Sequence, residues 1–193
     1  MFRVFMVWLA LGVALTAGLQ AEDEMEWETY EAEAFNIRFD VPASWKVAES
    51  EETFVASPES GGISYLIVAA EEETTSEELF ASFANDVELK VEEEPEDIGP
   101  LNGFQAWVGG GTATVDGADV LVLAAALTRG TTSVVAYFFC EPALAEQYQP
   151  VMLDALQRIY PLDLRPEELE GAKTERPAET TPEEPASDVE PGE

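Results

Sequence analysis

The chain contains no histidine and one cysteine, and only 9 of its 193 residues are lysine or arginine. Each shortage closes off chemistry. Without imidazole there is no Ser-His or Cys-His nucleophile, no His-ligated zinc or haem, and no ordinary charge switch near neutral pH. Cys140 has no second cysteine with which to close an internal disulfide. In the apolar run SVVAYFFC it reads as a small buried hydrophobe, with an intermolecular or reactive thiol as the alternative. Between Glu22 and Leu162 the cations are Arg38, Lys46, Lys90, Arg129 and Arg158. Nucleic acid and anionic lipid surfaces are therefore poor partners, because each phosphate contact needs a cation.

Acid is what the chain has in excess. Asp and Glu number 40, and the formal net charge is -31. Two readings stay open: a surface adapted to high salt, where a Debye length of about 3 Å at 1 M screens self-repulsion, or a docking surface for a basic partner. The acid is spread along the whole chain rather than held in one patch, which favours the first.

The opening MFRVFMVWLALGVALTAGLQA combines an early cation, Arg3, with an apolar run from Val4 to Ala17 and small residues after it. This is the pattern of a secretory signal over residues 1–21, cleaved after Ala21. An uncleaved anchor is the alternative, but the run is shorter than the roughly 20 apolar residues of a spanning helix and no basic cluster follows it. No twin arginine and no lipid-bearing cysteine is present. The mature chain is expected in the periplasm or outside the cell, with no stable membrane anchor.

Residues 22–34 form an acidic leader, with Trp27 and Tyr30 able to add a short edge strand. Phe35, Ile37, Phe39 and Val41 alternate with polar residues, the period of a half-buried strand, and Pro42 ends it. Trp45 follows in the turn and is placed to cap one end of the core. TFVAS and ISYLIVAA read as two further strands, the second apolar on both faces. Thr75 with Glu78 makes a capping box, and Phe80, Phe83, Ala84, Val87 and Val91 predict an amphipathic helix from Ser76 to about Lys90. EEEPEDIGP reads as a loop, and Asn102-Gly103 as a turn. GFQAWVGGGTATV and ADVLVLAAALT are joined by Asp116-Gly117, a hairpin signal, and Arg129-Gly130 turns the chain into TSVVAYFFC. A helix is expected to close the domain, with Pro150 in its first turn and Val151, Leu153, Leu156 and Ile159 as its apolar positions. From 163 to 193 the chain is rich in Pro, Glu and Thr, and buries too little to offset its ordering entropy; disorder is expected there.

The order of these elements, with FNIRFDVPASW at the start, LNGFQAW before the hairpins and YQPVMLDALQRI at the end, resembles the superfamily that contains PsbP, the Ran-binding Mog proteins and bacterial envelope proteins of the DcrB type. The resemblance covers residues 35–162. It implies an α+β domain, an antiparallel β-sheet with helices on both faces. It also implies a non-enzymatic role as an assembly factor, chaperone or accessory subunit, and carries no functional residue across.

Candidate chemistry in the residues themselves is thin. Gly109-Gly110-Gly111 lacks the following helix and Lys of a phosphate cradle, so a bulge or a close backbone approach accounts for it better. The runs Glu71-Glu72-Glu73 and Glu92-Glu93-Glu94 point in divergent directions. They make neither a general acid/base pair nor a calcium loop. Ser44, Ser57 and Ser64 have no activating partner. Trp45, Trp107 and Tyr137 are the aromatics able to line an apolar binding groove, against the alternative that all three are core. The resulting expectation is an exported binding module for a protein or hydrophobic ligand, with no enzyme activity, cofactor or metal. A structural or cation-buffering surface protein and a carboxylate-dependent hydrolase are the rivals.

Overall fold

A computed structural model describes residues 25–50, 53–70, 73–91 and 94–164. The expected signal over 1–21 and all of the expected tail over 163–193 except Asp163 and Leu164 lie outside the described residues; Asp163 pairs with Arg129, and the Leu164 carbonyl accepts from Arg38. Along the chain run β1 (Trp27–Ala32), β2 (Ile37–Pro42), β3 (Lys46–Glu49), β4 (Thr53–Ser57), β5 (Ile63–Ala69), α1 (Ser76–Asp86) and β6 (Lys90–Val91). They are followed by β7 (Glu96–Leu101), β8 (Phe104–Val115), β9 (Ala118–Arg129), β10 (Thr132–Cys140), α2 (Ala145–Gln157) and β11 (Ile159–Pro161).

Turn chemistry organises the large sheet. Asp116 and Gly117 both take positive φ, 52° and 82°, as a two-residue hairpin requires, and β8 pairs with β9 along its length. The next reversal uses Gly130-Thr131, because Arg129 still pairs with Thr132. The eight strands are antiparallel, in the order β3-β4-β5-β10-β9-β8, with β6 and β7 sharing the far edge of β8. A second sheet, β1-β2-β11, is also antiparallel. The chain is an α+β protein built mainly of antiparallel sheet.

Three expectations are corrected here. EEEPEDIGP supplies strand β7 rather than a loop: Asn102 and Gly103, with φ of 50° and 91°, make a hairpin turn that sends the preceding residues back along β8. A register shift between Asp97 and Gly99 accommodates the irregular sequence. Helix α1 stops at Asp86, not near Lys90. Glu88 takes φ 50° and turns the chain so that Lys90 and Val91 join the sheet, leaving Val91 exposed. Helix α2 begins at Ala145, so Pro150 lies inside it rather than in its first turn. Pro150 and Glu146 are both exposed, which leaves the carbonyl freed by the missing N–H open to water. Ile159 lies in β11, paired with Phe39, and not on the helix.

Alternation along β9 divides the core in two. Ala125 and Leu127 join Phe39, Tyr65 and Phe138 with Met152 and Leu156 of α2. Val122, Ala124 and Ala126 join Leu79, Phe80 and Phe83 of α1. The run LAAALT is thus buried from both sides. Its small alanines let the covering elements approach closely.

Candidate docking surface

The strand register sets up a surface beside α1. Val55 pairs with Leu66, Leu66 with Tyr137, and Tyr137 with Ala124. One step along, Thr53 pairs with Val68 and Val68 with Val135; on the other side, Ser64 pairs with Phe139. Period two puts all of these on the face that carries α1. The helix lies over β9, flanked by β8 and β10, with the Phe83 ring 4.7 Å from that of Tyr137. It does not extend over β4 and β5. Val55, Leu66 and Val68 are only half-buried and belong to neither core cluster.

This open half of the sheet is also uncharged at its centre. Its apolar positions are Val55, Leu66, Val68, Tyr137 and Phe139, and Thr53, Ser57 and Ser64 fill the gaps. No carboxylate stands among them, in a chain with 40 acidic residues. Exposed carboxylates frame it instead. Glu59 and Glu141 lie at one strand end, where the Glu141 N–H donates to the Gly62 carbonyl, and Glu73 precedes α1 at the other, while Glu49 pairs with Phe54 and so belongs to the opposite face. At the first end Lys46 pairs with Glu59 at 2.7 Å, both well exposed.

The three aromatics named from sequence are not brought together. Trp45 is 8% exposed and packs edge-on to Phe138 and Tyr148, in the core on the other side of the large sheet. Trp107 and Tyr137 are partly buried and pack on the α1 cluster. Of the three, Tyr137 borders the open surface, and its burial raises the phenol pKa above the usual value. Val55, Leu66, Val68 and Phe139 were missed. Their signal was the apolar double-sided strand ISYLIVAA, which implies more cover than one helix supplies.

The remaining groups have structural explanations. Cys140 is 1% exposed, and burial, with the Glu141 charge adding to it, raises its thiol pKa. The glycine triplet is a close approach in mid-strand, with no helix N-terminus beyond it. A Cβ at Gly109 would lie 2.6 Å from Phe80 Cζ, and one at Gly111 would lie 2.2 Å from the Lys90 carbonyl oxygen. Among the described residues no three His, Cys, Asp or Glu side chains are grouped to hold a metal ion, and no helix is long and apolar enough to cross a membrane. Glu71, Glu72, Glu92 and Glu93 lie outside the described residues.

A polar counterpart lies on the small sheet, where Thr29, Glu31, Arg38, Asp40 and Tyr160 line a shallow open depression. Its groups bind one another. Thr29 donates to Asp40 at 2.8 Å, Arg38 sits 5.9 Å over the Tyr160 ring and donates to the Leu164 carbonyl, and Arg158 sits 4.6 Å over Trp27. Burial opposes the Arg158 charge, but hydrogen bonds and ion pairing to Asp154 and Asp40 outweigh it and raise its pKa.

Comparison with solved structures identifies the architecture. Cyanobacterial PsbP (CyanoP) from Synechocystis sp. PCC 6803 matches with a TM-score of 0.55 at 11% identity, over 78% of this chain and 98% of that one. The fold is PsbP-like. Two further structures match at lower scores. Protein PA94 of unknown function from Pseudomonas aeruginosa gives 0.46 at 19% identity, covering 72% of this chain and 96% of its own. LpqN of Mycobacterium tuberculosis, involved in cell envelope biogenesis, gives 0.41 at 15%, covering 64% and 82%. No family model matches the chain, and no curated protein matches it by sequence. A PsbP-like fold at such identities specifies the arrangement of strands and helices, and leaves function to the surface.

Proposed function

We propose that this chain is an exported, non-enzymatic binding module of the cell envelope. It is a sheet with a helix on either face that docks a protein or hydrophobic ligand on the open half of its α1 side. One observation carries the reading: Val55, Leu66 and Val68 form a contiguous half-buried apolar row on β4 and β5 outside both core clusters. Apolar side chains on a strongly charged protein gain from cover, and a docked partner supplies it. Export rests on the signal-like opening.

The test compares the native chain with Leu66→Glu as bait in affinity capture from envelope extract at low and high salt. A component held by the native chain at high salt and released by Leu66→Glu is the expected outcome. An identical set on both baits would sink the reading.

A further inference from the structure

We infer that the occupant of the open sheet face is a cationic amphipathic helix of a partner protein, seated beside α1. The inference rests on the docking reading above and adds the partner's shape and charge.

The shape follows from strand spacing. Neighbouring strands lie about 4.8 Å apart, so β5, two strands from β9 in the order β9-β10-β5, lies about 10 Å to the side of the strand beneath α1. Helices packed side by side stand about 8–10 Å apart. A second helix laid over β5 therefore meets α1 at normal packing distance. Its floor is Leu66, Val68 and Val55, and its wall is the Phe83–Tyr137 pair, whose rings are 4.7 Å apart. Among the described residues one helix position on this face is filled and the adjoining one is open.

The charge follows from the frame. Glu141 stands at one end of the seat, beside the Glu59 that Lys46 already pairs, and Glu73 precedes α1 at the other, while the seat itself carries no acid. An apolar helix face with Lys or Arg near both ends satisfies both features at once. The net charge of -31 disfavours a second copy of this chain and any anionic lipid surface, since both would bring more negative charge to the same rim.

The test uses the purified mature chain and a synthetic peptide of about four helical turns, with leucines on one face and lysines on the other and at both ends, read by fluorescence anisotropy. Binding is expected, weakened at least tenfold by Leu66→Glu and several-fold by the pair Glu73→Gln and Glu141→Gln. Val55→Glu is read alongside, so that a folding defect in one variant, seen by circular dichroism, leaves the other informative. Equal binding of a scrambled lysine peptide, unaffected by either floor variant, would show general charge attraction and overturn the inference. A glutamate-for-lysine peptide that binds as well, and is lost on Leu66→Glu, would overturn the cationic preference while leaving the docking face in place. Phosphatidylglycerol vesicles or self-association that occupy the face, with the lysine peptide excluded, would also overturn it. If no peptide binds, and Leu66→Glu changes nothing in the extract capture, the docking reading itself fails.

Discussion

The Asn102 side-chain amide donates to the carbonyls of Gln157 and Ile159, at 2.6 and 2.9 Å, and so ties the β7–β8 turn to the end of α2. The same residue holds φ 50° at the first turn position, a conformation that Asn tolerates better than most side chains. One residue thus closes a hairpin and satisfies two carbonyls where helix gives way to β11. Asn102→Gly keeps the backbone and loses both bonds, at an expected cost of about 1–2 kcal/mol in urea unfolding. Asn102→Asp should cost more, because a carboxylate would face two acceptors. Wild-type stability in both variants would show that water replaces the amide at no cost.

Phe80 rests on Gly109. With 2.6 Å to the ring and 2.9 Å to Pro95 from a Cβ at that position, Gly109→Val should destabilise by about 1–3 kcal/mol through overpacking. Phe80→Leu in the same chain should recover part of the loss, a coupling that a double-mutant cycle reads directly. Strict additivity would mean that the glycine is required by the β6 and β7 edge instead.

The α1 cap gives a pH prediction. The Glu78 carboxylate accepts from the Thr75 N–H and from the hydroxyls of Thr75 and Thr74, and these bonds, the backbone one foremost, lower its pKa below 4.5. A folded-state pKa below the unfolded value contributes stability that is present above about pH 4.5 and is lost as pH falls through the folded value. The melting-temperature gap between the native chain and Glu78→Ala should therefore be widest near neutral pH and narrow on acidification. Thr75→Ala removes the other half of the box and should cost about 1 kcal/mol. A Glu78→Ala gap that widens in acid would reverse the assigned sign.

Local rules made much of the fold legible. Asp116-Gly117 announced its hairpin because positive φ at two successive residues is a need that few dipeptides meet. Thr75 and Glu78 announced the helix start because orphan N–H groups demand acceptors. The limits were equally local. The 3.6-residue spacing ran on through Val87 and Val91, yet the helix ended at Asp86 once Lys90 and Val91 found partners on β8. Polar, Pro-bearing EEEPEDIGP reads as loop, and its part from Glu96 onward became strand only because β8 offered an unpaired edge. Pro150 reads as a first-turn residue, and sits deeper because the helix starts from the turn at Pro142–Leu144.

The candidate surface shows the same division. Composition and short-range sterics settle which residues are apolar, most of the turns that reverse the chain, the lack of imidazole and the acid excess, and all of these are legible along the chain. Tertiary structure alone decided which apolar face stays open. Strand alternation assigns Leu66 and Tyr65 to opposite sides, but whether a side is covered depends on where a helix returns. Here α1 returns over β9 and stops short of β5, so Leu66 is only half-buried, while Tyr65, on the α2 side, is fully buried. Trp45 was drawn into the other core for the same reason: long-range packing, which no local pattern records, chose its side.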